Sequence, residues 1–522
     1  MPISNLSIKA WITVLLALSA LCSWCGPHKA LAEQMVFDVT TFGAIGDGVQ
    51  DDTKAIQKAI DEAAKAGGGV AYFPPAKAKY RVTANIAVRS NVTLTSSGNK
   101  TVVGLEKASL SIDGQRSIII ENLTLQGKER KSALIQTYSS QNPTDMGLIV
   151  RNCCFEGGKF GISSAHWIRN VTVENNHFTD CDYGLYVHTI DDWKIINNTF
   201  MRPIHRPIEI HNGHYNLVSG NTIEGDKKQT IIGILFMTNS SLPTDGPSNN
   251  IVANNRVRHI IEEGIMMEET VANAYVAGGT ATSGSSRTLN MASAGWKAEK
   301  LNNREVLLVA GKGAGQWRKI ASSTADTLTI DKDWTVQPDA TTMFTVVKAI
   351  KGNVISGNIV EDTGRMGIEL YGPSVDNIIE GNIIRYGGTD KGYSGIALVG
   401  TSGQGGNKTA RHPAMNNLVA DNIITGAELA GVQVYQVNYM TPDFFNINNS
   451  VIGNKVSDVQ SGILVQRSRN TAINANTVSF VRMGILEEKE SDYTLAVGNM
   501  IREYADKEIV LTGSHKVMGI VP

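Results

Sequence analysis

Residues 176–211 read NHFTDCDYGLYVHTIDDWKIINNTFMRPIHRPIEIH. Two phrases alternate in them. The first is an asparagine, any residue, then an aliphatic or phenylalanine, as in Asn176-His177-Phe178 and Asn198-Thr199-Phe200. The second is Gly or Pro followed by alternating aliphatics, as in Gly184-Leu185-Tyr186-Val187-His188 and Pro207-Ile208-Glu209-Ile210-His211. Alternation at period two is strand chemistry, with the aliphatics on one face and the intervening residues on the other. Asn176 and Asn198 lie 22 residues apart. A fixed period of this size predicts a solenoid whose repeats bury their apolar faces on one another.

Both phrases recur outward from this stretch. The asparagine phrase returns at Asn221, Asn255, Asn358, Asn382, Asn422, Asn454, Asn476 and Asn499. The alternating phrase returns at Gly264–Glu268, Gly367–Tyr371, Gly431–Tyr435 and Gly462–Gln466. Two or three short strands per coil predict an all-β, single-chain parallel β-helix. The asparagines should stack at one corner, where left-handed backbone is tolerated. The gap from Asn255 to Asn358 is too long for one coil. Within it, Val306–Val309, Gln316–Ile320, Thr327–Ile330 and Phe344–Val347 read as short antiparallel strands, a small β subdomain inserted over 270–346. Trp317 and Trp334 could offer it sugar-stacking surfaces. The solenoid then occupies 101–269 and 347–522, the latter including the C-terminal coils and end. Residues 33–100 form an N-terminal cap and first coils, in which Ile56, Ala59, Ile60 and Ala63 have helical spacing over Lys54–Lys65. Such a helix covers the open end of the solenoid. Asp51 or Asp52 suits its N-cap.

Composition sets the outer limits. The chain has 522 residues, 42% hydrophobic and 19% charged, with formal net charge −1, which gives no basis for nucleic acid or an anionic membrane as partner. Residues 1–32 read as a signal peptide: Lys9, an apolar run Ala10–Cys25, and Ala30-Leu31-Ala32 as a cleavage site. The mature protein is therefore expected to be secreted, extracellular or at the cell surface, without a membrane partner. Cys153, Cys154 and Cys181 are too few for a disulfide framework and read as buried thiols, with a Cys153–Cys181 bridge as the alternative.

Five of the 10 histidines fall between positions 177 and 214. Aligning the alternating phrases places Tyr186, Glu209, Leu235, Met266 and Glu369 in one outward column. His188, His211, Met237, Glu268 and Tyr371 form the next. Stacked coils lie about 4.8 Å apart, so this ribbon predicts a groove floor along the solenoid. Its candidate catalytic residues are His188, Glu209, His211, Glu268 and Glu369. Tyr186, Arg206, Arg365 and Tyr371 are the candidate substrate contacts.

The N-terminal text resembles the pectate-lyase superfamily, especially its polygalacturonase-related and rhamnogalacturonase/epimerase-like members. The matching residues are Phe42-Gly43-Ala44 through Asp47-Gly48, Asp51-Asp52-Thr53, Ala55-Ile56-Gln57, Gly67-Gly68-Gly69 and Tyr72-Phe73-Pro74. The resemblance implies a right-handed β-helix and a polysaccharide substrate. Asn-Thr-Asp, Gly-His-Gly and Arg-Ile-Lys hydrolase signatures are absent. Tyr183-Gly184-Leu185-Tyr186-Val187-His188 is similar to the Tyr-Gly-x-Asp-Pro-His run of mannuronan epimerases, with Tyr186 in the Asp position. The expected reaction is β-elimination on a uronate-containing chain. His211 or His188 would act as base, Tyr186 or Tyr371 as acid, and Arg206 would neutralise the substrate carboxylate. The alternatives are hydrolysis by paired Glu209, Glu268 and Glu369, C5-epimerisation, and a non-catalytic carbohydrate-binding or adhesive β-helix. The resemblance also admits carboxylate-bound calcium, for which Asp180, Asp182, Asp191 and Asp192 are candidate ligands. A monomer or a homotrimer is expected.

Overall fold

The computed structural model describes residues 35–98, 101–127, 132–139, 144–238, 245–269, 275–402, 410–438, 445–488, 490–513 and 517–520. The expected signal segment lies outside them. The described chain winds into a parallel, right-handed β-helix with three strands per coil. One coil comprises Ile168–Glu174, His177–Thr179 and Tyr183–His188. The next comprises Ile190–Ile196, Thr199–Met201 and Arg206–His211. Val171 pairs with Trp193, Phe178 with Phe200 and Leu185 with Ile208, all in parallel register.

The alternation in the sequence is realised as burial. Leu185, Val187, Ile208 and Ile210 are each 0% exposed inside the coil, and burying such a side chain contributes about 1.5–3 kcal/mol. Aromatic rings stack up the interior as well: Phe155 on Phe178 at 4.4 Å between centroids, Phe178 on Phe200 at 4.7 Å. The glycine that opens the alternating phrase is steric. A Cβ at Gly184 would lie 2.4 Å from the Phe200 ring.

The asparagines form a continuous ladder. Each side-chain amide donates to the carboxamide oxygen of the next coil, as Asn176 to Asn198 at 3.0 Å and Asn198 to Asn221 at 3.0 Å. Each also donates to a backbone carbonyl, as Asn198 to Val173 at 2.9 Å. The ladder crosses the long gap without interruption, Asn255 donating to Asn358 at 3.0 Å. Removing one member would leave buried partners unsatisfied, at about 1–3 kcal/mol each. The left-handed backbone belongs to the residue before each ladder asparagine, not to the asparagine itself. Asn175, Asn197, Asn254, Asp421 and Ala475 have φ between 54° and 56° or close to it (54°, 55°, 56°, 53° and 55°). A second ladder, which the sequence reading did not separate, runs through Asn216, Asn250, Asn353, Asn377, Asn417 and Asn449.

At the N-terminus a helix, Thr53–Lys65, buries Ile56, Ala59, Ile60 and Ala63 against the first coils. Neither aspartate acts as a plain N-cap. Asp52 occupies the cap position without a side-chain bond to the helix. Its carboxylate instead accepts from the Ile45 and Arg81 N–H groups at 2.7 and 3.1 Å, tying the preceding loop to the first coil. Asp51 takes the Thr53 N–H at 3.1 Å. Cys153, Cys154 and Cys181 are free thiols, and burial pushes Cys153 up to about 12.

Between Glu268 and Ile350 the chain leaves the solenoid and builds a seven-stranded antiparallel sheet from strands within 275–347. The strand Glu305–Ala310 explains how it is seated. Val306 and Leu308 enter the sheet's own core with Leu289, Ile320 and Phe344. Leu307 and Val309 face the other way and pack on Val375, Met415 and Ile447 of the solenoid. Trp334 is 5% exposed in that core, with Arg318 over its ring, so it is not a sugar platform. Trp317 remains accessible and donates its indole N–H to Asp376 at 2.8 Å.

Candidate active site

The outward columns run along one sheet of the solenoid. Tyr186 pairs with Glu209, Glu209 with Leu235, Leu235 with Met266 and Met266 with Glu369. His188, His211, Met237, Glu268 and Tyr371 follow in the same register. This ribbon divides into two polar clusters. Between them Leu235 and Met266 pack with Ile232, Met237 and Tyr371.

The N-terminal cluster is organised around Glu209. Glu209 is 3% exposed, yet both carboxylate oxygens are engaged: one accepts from Arg206 at 2.9 Å, the other lies 2.6 Å from His211 Nε2. Burial raises the Glu209 pKa, but the His211 and Arg206 contacts outweigh it and hold the carboxyl below its ordinary range. An ionised Glu209 accepts the Nε2 proton of His211, which leaves a lone pair on the buried Nδ1, and that atom has no partner. His188 stacks on His211 with centroids 4.1 Å apart and 14° between planes. Burial, and then the neighbouring His211, pushes His188 down to about 4, so its imidazole is neutral at physiological pH. The Tyr186 ring stands 4.7 Å from His188 and 5.4 Å from His211. Its hydroxyl pKa is raised by burial and by Glu209, so it keeps its proton. Tyr183 and His205 flank this group, their rings 5.5 Å apart.

The C-terminal cluster is crowded with carboxyls. Burial lifts Glu263 to about 7, Glu268 above its ordinary value, and Glu369 well above it, with Glu263 and Glu268 adding to the effect at Glu369. Arg365 lies 3.1 Å from Glu262 and 3.7 Å from Glu263, with its guanidinium over Tyr393. Tyr435 stands two coils beyond Tyr371 in the same column, through Val399. Burial and Glu369 raise its hydroxyl pKa.

The predicted residues therefore do not converge on one point. Glu209 and Glu369 are three coils apart, about 14 Å at about 4.8 Å per coil, too far for the paired-carboxylate distances of about 5–9.5 Å. Tyr371 is four coils from His188, about 19 Å, and cannot serve as acid to that base. Glu263, Tyr183, Tyr393 and Tyr435 join the clusters without having been singled out in sequence. Tyr435 was within reach, because its phrase Gly431–Tyr435 extends the His188 column.

The candidate calcium ligands do not meet. Asp180 pairs with Arg202, Asp192 with Arg169, and Asp191 with Trp167 and His214. Among the described residues no group of three His, Cys, Asp or Glu is placed to hold a metal ion.

Comparison with known proteins finds pectate-lyase-like and right-handed β-helix family models matching parts of the chain. Residues 36–124 match the family described as "Rhamnogalacturonase A/epimerase, pectate lyase-like", and 83–200 match "Right handed beta helix region". Residues 320–518 match "Periplasmic copper-binding protein (NosD)". That stretch contains no cysteine, and its only described histidine, His412, is 0% exposed, which does not fit a copper site. Among curated proteins, the chain is similar to mannuronan C5-epimerase AlgE6 of Azotobacter vinelandii, 46% identical over 83 residues, covering 14% of this chain and 9% of that protein. It is similar to alginate lyase 7 of the same organism, 44% identical over 79 residues, covering 14% and 9%. It is also similar to plasmin and fibronectin-binding protein A of Streptococcus pneumoniae, 30% identical over 165 residues, covering 29% and 22%. The chain thus spans under a quarter of the length of each of these relatives.

Proposed function

We propose that the protein is an exported enzyme that removes the C5 proton of a uronate residue in a polysaccharide and completes a β-elimination. The observation that carries this reading is the His188–His211 stack beside Tyr186 and the Arg206–Glu209 pair, all on consecutive coils. Abstraction of a proton α to a carboxylate needs a neutral base, a cation for the developing enolate, and an acid for the leaving oxygen. His188 takes the proton at Nδ1 or Nε2. Arg206 offsets the charge that builds on the substrate carboxylate. The C4–O bond then breaks, Tyr186 protonates the departing oxygen, and the new chain end carries an unsaturated uronate. Glu209 acts through its neighbours, orienting His211 and Arg206. If Tyr186 instead returns a proton to the opposite face of C5, the same intermediate yields the epimer. The similarity to a mannuronan C5-epimerase and an alginate lyase supports this shared first step. Burial raises the pKa of Glu268 and, further, of Glu369, which disfavours negative charge at the far end of the groove and suits it to an anionic chain. No helix among the described residues is long and apolar enough to cross a membrane.

A second reading, hydrolysis, rests on the opposed shifts of Glu209 (lowered) and Glu268 (raised), the acid–base split such chemistry needs. A panel of alginate, pectin, glycosaminoglycan and neutral glucan separates the readings. Ultraviolet absorbance of an unsaturated uronate rising with new reducing ends supports elimination. Reducing ends alone would mean hydrolysis. Silence in both channels and in C5 epimer content would leave the carbohydrate-binding or adhesive reading.

A further inference from the structure

A cleft of about 750 Å³ lies apart from the groove described above. It lies around the coil corner, between the solenoid and the inserted sheet. One wall is a column of stacked coil positions, Asp191, His214, Ser248 and Lys351. The other carries Arg304, Trp317 and Lys319 of the insertion. The two walls are fastened to each other: Arg304 bonds Asp245 at 2.7 Å, and Trp317 donates to Asp376 at 2.8 Å. These contacts tie the insertion to the solenoid at the cleft. Its size falls in the ordinary range of ligand sites, about 300–1,000 Å³.

Three aromatic side chains line it: Trp167, Tyr215 and Trp317. Tyr215 is 63% exposed, unusual for a large aromatic, and holds left-handed backbone with φ 59°. A second feature points to a ligand. His214 is 9% exposed, and its Nδ1 sits 2.9 Å from Asp191 Oδ1, whose other oxygen accepts the Trp167 indole N–H at 2.8 Å. With the Nδ1 proton given to Asp191, Nε2 presents a lone pair, and that buried atom has no partner in the protein. A buried acceptor left unpaired is unfavourable unless something supplies a donor. Cations and anions around the cleft nearly balance: Arg304 and Lys351 are offset by Asp245 and Glu305.

We propose that this cleft is a second saccharide-binding site, separate from the groove, which holds a short segment of a glycan chain. Tyr215 and Trp317 stack against the C–H faces of pyranose rings, with His214 in the polar wall behind them. The inserted sheet is then the element that builds a binding surface onto the solenoid. The balanced charge suits the ring and hydroxyls of a sugar and gives no reason to require its carboxylate.

The test is calorimetric titration of the full chain carrying His188→Ala, which stops turnover in the groove. The probes are mannuronan, galacturonan and neutral β-glucan oligosaccharides, against that protein and against versions further altered at Tyr215→Ala or Trp317→Ala. Saturable binding of at least one probe, weakened about tenfold by Tyr215→Ala, is expected. Tyr215 is exposed and outside the core, so the variant should melt as its parent does, and any loss reports the cleft. Trp317→Ala should weaken the same binding, with a small drop in melting temperature from the lost Asp376 contact. A neutral probe bound as well as an acidic one supports recognition of the ring, and binding confined to acidic probes would overturn that. Absence of binding by every probe, or binding unchanged by Tyr215→Ala, would overturn the site. The Tyr215→Ala and Trp317→Ala proteins are compared with the same His188→Ala parent, so a difference between them reports the cleft and not the groove.

Discussion

The two ends of the groove are built from the same strands in the same register, yet they hold charge in opposite ways. At the N-terminal end one buried carboxylate, Glu209, is ionised because a guanidinium and an imidazole each hold one of its oxygens. At the C-terminal end Arg365 is the arginine near Glu263 and Glu369, while Glu268 feels only Arg206 from the other cluster, and burial raises the pKa of all three. The same backbone thus holds one carboxyl below its ordinary range at one end and raises three above it at the other, which under the proposed function suits the first end to proton transfer and the second to an anionic chain. What differs is only which outward position in each coil carries a cation.

The sharpest way to break this contrast is to remove the base. His188→Ala should lower kcat by about 10²–10⁴-fold, with circular dichroism and melting unchanged, because the ring faces outward from the core. At the other end, Glu263→Gln should affect stability rather than rate. The Glu263 carboxyl is pushed up to about 7 from its ordinary 4.5, so its share of stability is complete below pH 4.5 and is lost as pH rises through 7. The glutamine variant should therefore unfold at higher denaturant than wild type at pH 8, by on the order of 2–3 kcal/mol, and show no gain at pH 4. A third expectation concerns the pH profile. His188, pushed down to about 4, is deprotonated above that value, so kcat/KM should rise through about pH 4 and be flat across pH 5–7. A fall across that range on acidification would assign the base to a histidine of ordinary pKa. The smallest effect is expected for Glu369→Gln. Burial raises the Glu369 carboxyl well above its ordinary range, toward the neutral form that an amide mimics, so kcat/KM should change by less than about tenfold.

Much of this contrast could be read from the sequence, and the reason is geometric. Strand alternation has a period of two, and the Gly-aliphatic phrase marks its phase, so the columns through Tyr186–Glu369 and His188–Tyr371 followed from counting residues. Which of those groups would be charged did not follow. The state of Glu209 depends on Arg206 and His211 reaching its two oxygens, and that of Glu369 on a turn residue, Glu263, that belongs to no phrase. The seating of the insertion was hidden for a related reason. Val306-Leu307-Leu308-Val309 is apolar without alternation, the mark of a strand buried on both faces, but its partners Val375, Met415 and Ile447 lie in coils that only the folded chain brings beneath it. Of the cleft formed there, the linear text offered Trp317 as a sugar-stacking surface, but nothing in it brought Trp317 to Tyr215, Asp191 and His214.

The central claim is that the N-terminal cluster removes a proton from C5. Nuclear magnetic resonance of mannuronan or galacturonan incubated with the enzyme in deuterated buffer tests it directly. The account predicts either deuterium at C5 or an unsaturated chain end with wild-type protein, and neither with His188→Ala. New reducing ends from wild type, with C5 fully protonated and no unsaturated product, would contradict it.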